Sequence, residues 1–308
     1  MKIIANKIDI EVEDSGATPL GPQDQSRPVV LLIMGLGMQL VAWPPAMVQA
    51  LVNAGYRVIR HDNRDIGKSQ YFDILGKPKL MLESLKYKLG LPIRPPYSLH
   101  DMALDAVGVL EALKIDKAHI VGVSMGGMIA QRVAIAAPHK VLSLTSIMSS
   151  SGARGLPQAK GPVFRALLSQ PANQTESAIA DHYVKFFKII GSPGFPMDDL
   201  ESRERIVEAI QRGFHPEGTL RQMVAIAADS KRPAELAQIT CPTLVIHGKA
   251  DPLVPYPNGV DTAKRIAASH LVGIEGMGHD LPPGVVAQLV ALMAPFFTSA
   301  THSLNARS

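Results

Sequence analysis

Apolar positions along this chain follow two alternating patterns. The first is the short unbroken run, as in Val29-Val30-Leu31-Leu32-Ile33-Met34 stopped by Gly35. Such runs fit strands covered on both faces. The same reading predicts strands at Arg57–His61, Ala118–Val123, Val141–Met148, Thr243–His247 and His270–Ile274. Residues 2–14 alternate loosely and predict one or two edge strands. The second pattern is the helical stripe. It predicts helices at Leu40–Ala54 with Gly55 as stop, Lys79–Lys88, Leu99–Leu113 with Ser98 as N-cap, Met125–Ala136, Asn258–Ala267 and Pro283–Phe296. Gly21–Pro28 reads as a turn-rich connector, and the tail from Thr298 to Ser308 is expected to fray.

Strands and helices that alternate with short links imply a parallel sheet with helices on both faces. The rhythm breaks after Ser149. From there to about Lys231 no strand pattern occurs, and four helices are predicted: Pro162–Ser169, Glu176–Ile190, Leu200–Arg212 and Thr219–Ala228. The expected organisation is one α/β core, residues 1–150 and 230–308, interrupted by a helical cap, residues 151–229.

Composition narrows the class. The chain has 308 residues, of which 46% are hydrophobic and 19% charged, an ordinary globular balance. Net charge is +4 without a dense Lys/Arg run, so no nucleic-acid partner is expected. A single cysteine, Cys241, excludes a disulfide framework and Cys-rich zinc modules. The N-terminus has charges every few residues and no apolar h-region, so the reading is a cytoplasmic protein. No uncharged apolar run is read as approaching about 18 residues, so no membrane partner is expected.

The chemistry lies in Gly122-Val123-Ser124-Met125-Gly126, which fits G-x-S-x-G between a predicted strand and a predicted helix. A nucleophile on that sharp turn stands above the carboxyl edge of the sheet, with a helix N-terminus behind it. Flanking glycines remove the collisions such a turn creates. A serine nucleophile needs a base, and the base needs an orienting acid. Asp251 follows the strand ending at His247, and His279 follows the strand ending near Ile274. All three residues therefore leave one edge of the sheet, in the order Ser, Asp, His. The other loop that could supply an acid, Ser149-Ser150-Ser151-Gly152, holds no carboxylate.

Two competing motifs fail. Gly67-Lys68-Ser69 ends like a phosphate loop, but Asp62 stands where its first glycine is needed. Gly35-Leu36-Gly37 opens like a dinucleotide fingerprint, but Leu40 takes the third glycine position. No clustered His/Cys/Asp pattern implies a metal.

Across nearly its whole length the sequence resembles the α/β-hydrolase fold esterases. It is most similar to the lactonase, esterase and haloperoxidase-like branch, especially the aclacinomycin methylesterase-like members. The resemblance rests on Met34-Gly35-Leu36-Gly37, Asp62 to Ser69, Gly122 to Gly127, His247 to Asp251, and Gly276 to His279. In the wider family the first of these usually begins His-Gly; here Met34 replaces the histidine. The resemblance implies an oxyanion hole built from the backbone amides of Met125 and Leu36, a tight structural turn at Asp62–Ser69, and no cofactor. The expected activity is hydrolysis of a carboxylic ester, as a methyl ester or lactone, through Ser124, His279 and Asp251. The same triad could instead run perhydrolysis (cofactor-free haloperoxidase behaviour) or carbon–carbon hydrolysis. A ligand-binding module or a dinucleotide-binding protein are the readings outside catalysis. Gly35, Met148, Phe164, Phe187 and Met277 are the candidate pocket-lining residues, the phenylalanines belonging to the cap.

Overall fold

Strand β3 (Val29–Ile33) and its neighbour β5 (Ala118–Val123) are buried at every position, which is why β3 is continuously apolar and β5 is apolar but for His119. The computed structural model describes residues 1–17, 27–159 and 161–305. Most of the connector expected at 21–28, and the last three residues of the tail, lie outside the described residues. The other strands are β1 (Lys2–Ala5), β2 (Ile8–Asp14), β4 (Arg57–His61), β6 (Val141–Ile147), β7 (Thr243–Gly248) and β8 (Ser269–Ile274). They form one sheet in the order β1-β2-β4-β3-β5-β6-β7-β8. β1 pairs antiparallel with β2, and β2 with β4; every other pairing is parallel. The fold is thus a mostly parallel α/β sheet with helices on both faces.

Alternate residues of the central strands feed two cores. Leu31, Ile33 and Ile120 pack with α3 (Leu99–Ala112) and α4 (Met125–Ala136). Val30, Leu32, Val121 and Val123 pack on the other face with α1 (Pro45–Asn53) and α11 (Pro283–Asn305). Ser98 and Asp101 form a capping box that starts α3.

Three sequence expectations are corrected here. The helix expected at Leu40–Ala54 is a single 3-10 turn, Leu40–Ala42, followed by α1 from Pro45. Pro44 forces Trp43 out of the helical region, to ψ 121°, and the helix restarts after the break. At the other end, α11 runs through Pro295 to Asn305 instead of stopping at Phe296 and fraying. Phe297 and Ala300, beyond that proline, are buried, and this burial offsets the lost hydrogen bond. The segment Pro283–His302 is also long and apolar enough, by length and composition, to cross a membrane, contrary to the sequence reading. Val285, Val286, Leu289, Met293 and Phe297 on one side of it pack into the core.

Between β6 and β7 stand α5 (Gly161–Leu168), α6 (Glu176–Ile190), α7 (Asp199–Gly213) and α8 (Pro216–Ala228), with no strand among the described residues. Thr175 caps α6 through the Ala178 amide, and Asp198 caps α7 through the amides of Leu200 and Glu201. A short α9 (Arg232–Glu235) leads back to β7, and α10 (Pro257–Arg265) joins β7 to β8. The remaining helix, α2 (Leu80–Leu89), lies between β4 and α3 and packs against α8.

Candidate active site

Ser124 occupies the turn between β5 and α4 at φ 55° and ψ −121°, a backbone conformation that costs energy for any residue with a Cβ. The surrounding glycines allow it. A Cβ on Gly122 would lie 2.0 Å from the Gly126 carbonyl oxygen, and one on Gly126 would lie 2.0 Å from that of Ile33. The turn is held by the Ser124 amide donating to Ile147 O at 2.9 Å and by Ser149 Oγ donating to Ser124 O at 2.7 Å.

His279 meets this serine. Its Nε2 lies 3.0 Å from Ser124 Oγ, and its Nδ1 lies 2.7 Å from Asp251 Oδ2. A carboxylate only accepts, so Nδ1 carries the proton and Nε2 is left to accept from the hydroxyl. The other oxygen of Asp251 accepts the amides of Leu253 at 2.9 Å and Val254 at 2.8 Å. Asp251 and His279 are both buried. His247, the strand residue four positions before Asp251, lies close to that carboxylate. Its Nε2 is 2.7 Å from Val254 O and 3.6 Å from Asp251 Oδ2. Burial lowers its pKa, so at pH 7 it donates to Val254 as a neutral ring and brings no positive charge to Asp251.

The loop after β3 approaches from the other side. A Cβ on Gly35 would lie 3.2 Å from Ser124 Cβ, so only glycine leaves the serine uncrowded there. Among the described residues, the Leu36 and Met125 amides have no hydrogen-bond partner. This loop is fixed by its neighbours. Asn63 Nδ2 donates to Met34 O at 2.9 Å, and the Gly37 amide donates to Gln222 Oε1 at 3.0 Å. Gln222, buried on α8, donates in turn from Nε2 to Arg64 O at 3.0 Å. Asp62 accepts the Leu40 amide at 2.7 Å and the Lys68 amide at 2.9 Å, so the Asp62–Ser69 segment is a structural turn.

The inserted helices also reach the histidine loop. The His279 amide donates to Ile190 O at 2.7 Å, and the Gly278 amide to Ser192 Oγ at 2.8 Å. Ser192 Oγ in turn donates to Asp280 Oδ1 at 2.5 Å. Burial raises the Asp280 pKa. The sequence reading missed Gln222, Ser192 and Asp280. Only Asp280 offered a signal, by its position next to His279.

The candidate pocket residues fall in different places. Gly35 borders Ser124, as described. Met148 and Met277 are buried in the apolar cluster that includes Trp43, Ile246 and Val285. Phe164 on α5 is half-exposed. Phe187 on α6 meets Phe186 edge-on, with centroids 5.8 Å apart. Asp65, Asp73 and His215 lie close enough to hold a cation, but Arg221 already bridges both carboxylates, at 2.8 Å from Asp65 and 3.0 Å from Asp73.

Comparison with known proteins identifies the family. Residues 28–282 match the family model of the alpha/beta hydrolase fold. The chain is 32% identical to the rhodomycin D methylesterase DauP of a Streptomyces species, over 91% of this chain and 94% of that protein. It is 26% identical to 3-oxoadipate enol-lactonase 2 of Acinetobacter baylyi, over 81% of this chain and 84% of the relative. In overall fold it is similar to the meta-cleavage product hydrolase of Pseudomonas fluorescens, with a TM-score of 0.70 at 20% identity, covering 97% and 98% of the two chains. The chain is an enzyme of the α/β-hydrolase family.

Proposed function

We propose that this enzyme hydrolyses a carboxylic ester, a methyl ester or lactone, through an acyl-serine intermediate on Ser124. His279 Nε2 takes the hydroxyl proton as Oγ attacks the carbonyl carbon. It then gives that proton to the departing alcohol oxygen. Asp251 holds the ring in the working tautomer and stabilises the imidazolium that forms. Water, deprotonated by the same histidine, releases the acid and restores Ser124. The amides of Leu36 and Met125 receive the oxyanion; each such donor is worth about 2.7–4 kcal/mol.

The observation that carries this reading is the unbroken chain Ser124–His279–Asp251, with contacts of 3.0 Å and 2.7 Å. The named activities of the methylesterase and lactonase relatives support the ester class. Helices α5–α8 act as the cap. Gly35, beside Ser124, borders the acyl or alcohol site.

The test is a panel of p-nitrophenyl esters of rising chain length, methyl esters and lactones, with rates from released phenol, methanol or acid. Turnover of esters or lactones without added peroxide is expected. Activity confined to peroxide with acetate, or to β-diketone-type substrates, would replace this reading with perhydrolysis or carbon–carbon hydrolysis.

A further inference from the structure

Helix α2 carries its apolar stripe on the wrong side for a core helix. Met81, Leu82, Leu85 and Leu89 are spaced to share one face of about 100°. All four are exposed, Met81 at 91% and Leu89 at 64%. The opposite side, with Leu80 and Glu83, is the half-buried one, and the helix packs against α8. Exposed Ile74 precedes the helix, and Leu91 follows it. Gly90, in the left-handed conformation at φ 73°, turns the chain so that the Leu91 amide donates to Lys86 O at 2.9 Å.

The charges around this stripe say what covers it. Lys88 and Lys86 flank it on opposite sides, and Lys77 and Lys79 precede it. Lys77, Lys79 and Lys88 are exposed and form no ion pair among the described residues. Protein interfaces are rich in aromatic residues, methionine and arginine at their centres and poor in lysine. This face, three leucines with Met81, carries no aromatic residue or arginine and is bordered by lysines. Lysine stems lie along an apolar surface while their ammonium groups reach outward, the geometry of a helix lying in the headgroup layer of an anionic bilayer.

We propose that α2 is a docking surface for an anionic lipid bilayer. Met81, Leu82, Leu85 and Leu89 enter the acyl boundary, and Lys77, Lys79 and Lys88 meet the phosphates, Lys86 being paired with Glu83 at 2.8 Å. The sequence reading expected no membrane partner because it weighed only spanning segments. A helix lying flat on the surface does not need to span.

The experiment is co-sedimentation of the full chain with vesicles of phosphatidylcholine, with and without phosphatidylglycerol. Wild type should bind the anionic vesicles and stay in solution with the neutral ones. Leu85→Glu/Leu89→Glu should abolish that binding. Lys79→Gln/Lys88→Gln should weaken it roughly 30-fold. Ester turnover in solution should be unchanged in both variants, which shows that they fold. Absence of wild-type binding to anionic vesicles would overturn the proposal, as would binding that both variants retain. Light scattering that shows a dimer split by Leu85→Glu/Leu89→Glu would assign the face to a second copy of the chain instead.

Discussion

The backbone amide of His279 donates to the carbonyl oxygen of Ile190, 2.7 Å away, so the histidine facing Ser124 is tied directly to the end of an inserted helix. One residue before it, Gly278 is held by Ser192 Oγ; one residue after it, Asp280 accepts from the same hydroxyl. The insertion therefore fixes the backbone of the loop whose imidazole meets Ser124.

Ser192→Ala tests this coupling. The change leaves the Gly278 amide and the Asp280 carboxyl without their shared partner, in a buried setting. The expected result is a fall in kcat of roughly 10-fold with a smaller change in KM, because a displaced base harms the transition state more than substrate binding. Steady-state kinetics on one p-nitrophenyl ester reads both values. An unchanged kcat would remove Ser192 from the account.

Gln222→Leu tests the other anchor. Gln222 joins the Gly37 amide to the Arg64 carbonyl across 185 residues of sequence between Gly37 and itself. Leucine leaves both backbone groups unpaired, at a stability cost of about 1–3 kcal/mol. The Leu36 amide loses its fixed position as well, so kcat should fall with KM nearly constant. Denaturant unfolding and kinetics on the same variant separate the two effects.

Asp251→Asn should keep the shape of the site and lose the chemistry. An amide nitrogen facing His279 Nδ1 favours the tautomer whose proton points at Ser124. A loss on the order of 10⁴ in kcat is expected. Its pH profile should differ from wild type rather than scale with it.

Stability should fall as the solution becomes acidic. His61 and His119 are fully buried, and burial pushes the pKa of each from the usual 6.5 down to about 4. Between these values the unfolded chain binds the protons that the folded chain refuses. Stability therefore rises with pH through the window and is lost as pH falls from 6.5 towards 4, by about 2 kcal/mol per histidine at pH 5. The carboxyls of buried Asp62 and Asp105 and of half-buried Asp280 are pushed upward and act in the opposite sense. Comparison of wild type with His119→Gln isolates one histidine. The variant should lose about 2 kcal/mol less between pH 7 and pH 5, measured by denaturant unfolding.

The sheet was legible because its central strands are buried on both faces, so their apolar runs carry no ambiguity. Ser124, Asp251 and His279 were legible as a set because each follows a strand on the same edge. Two helix ends were not. Pro44 breaks the helix after the loop at Gly35, whereas Pro295 fails to break α11, and only the burial of Phe297 and Ala300 separates the two cases. Gln222 and Ser192 were invisible for a different reason. Their partners lie far away in sequence, and neither residue type announces a role without its contact. The exposed stripe on α2 also required the fold, because its spacing alone reads as an ordinary core helix.

The central claim, that Ser124 is the nucleophile, is tested most directly by initial rates of wild type and Ser124→Ala on the best p-nitrophenyl ester. The account predicts a fall of roughly 10³-fold or more with the fold intact by circular dichroism. Equal rates in the two proteins, well above the uncatalysed reaction, would contradict it.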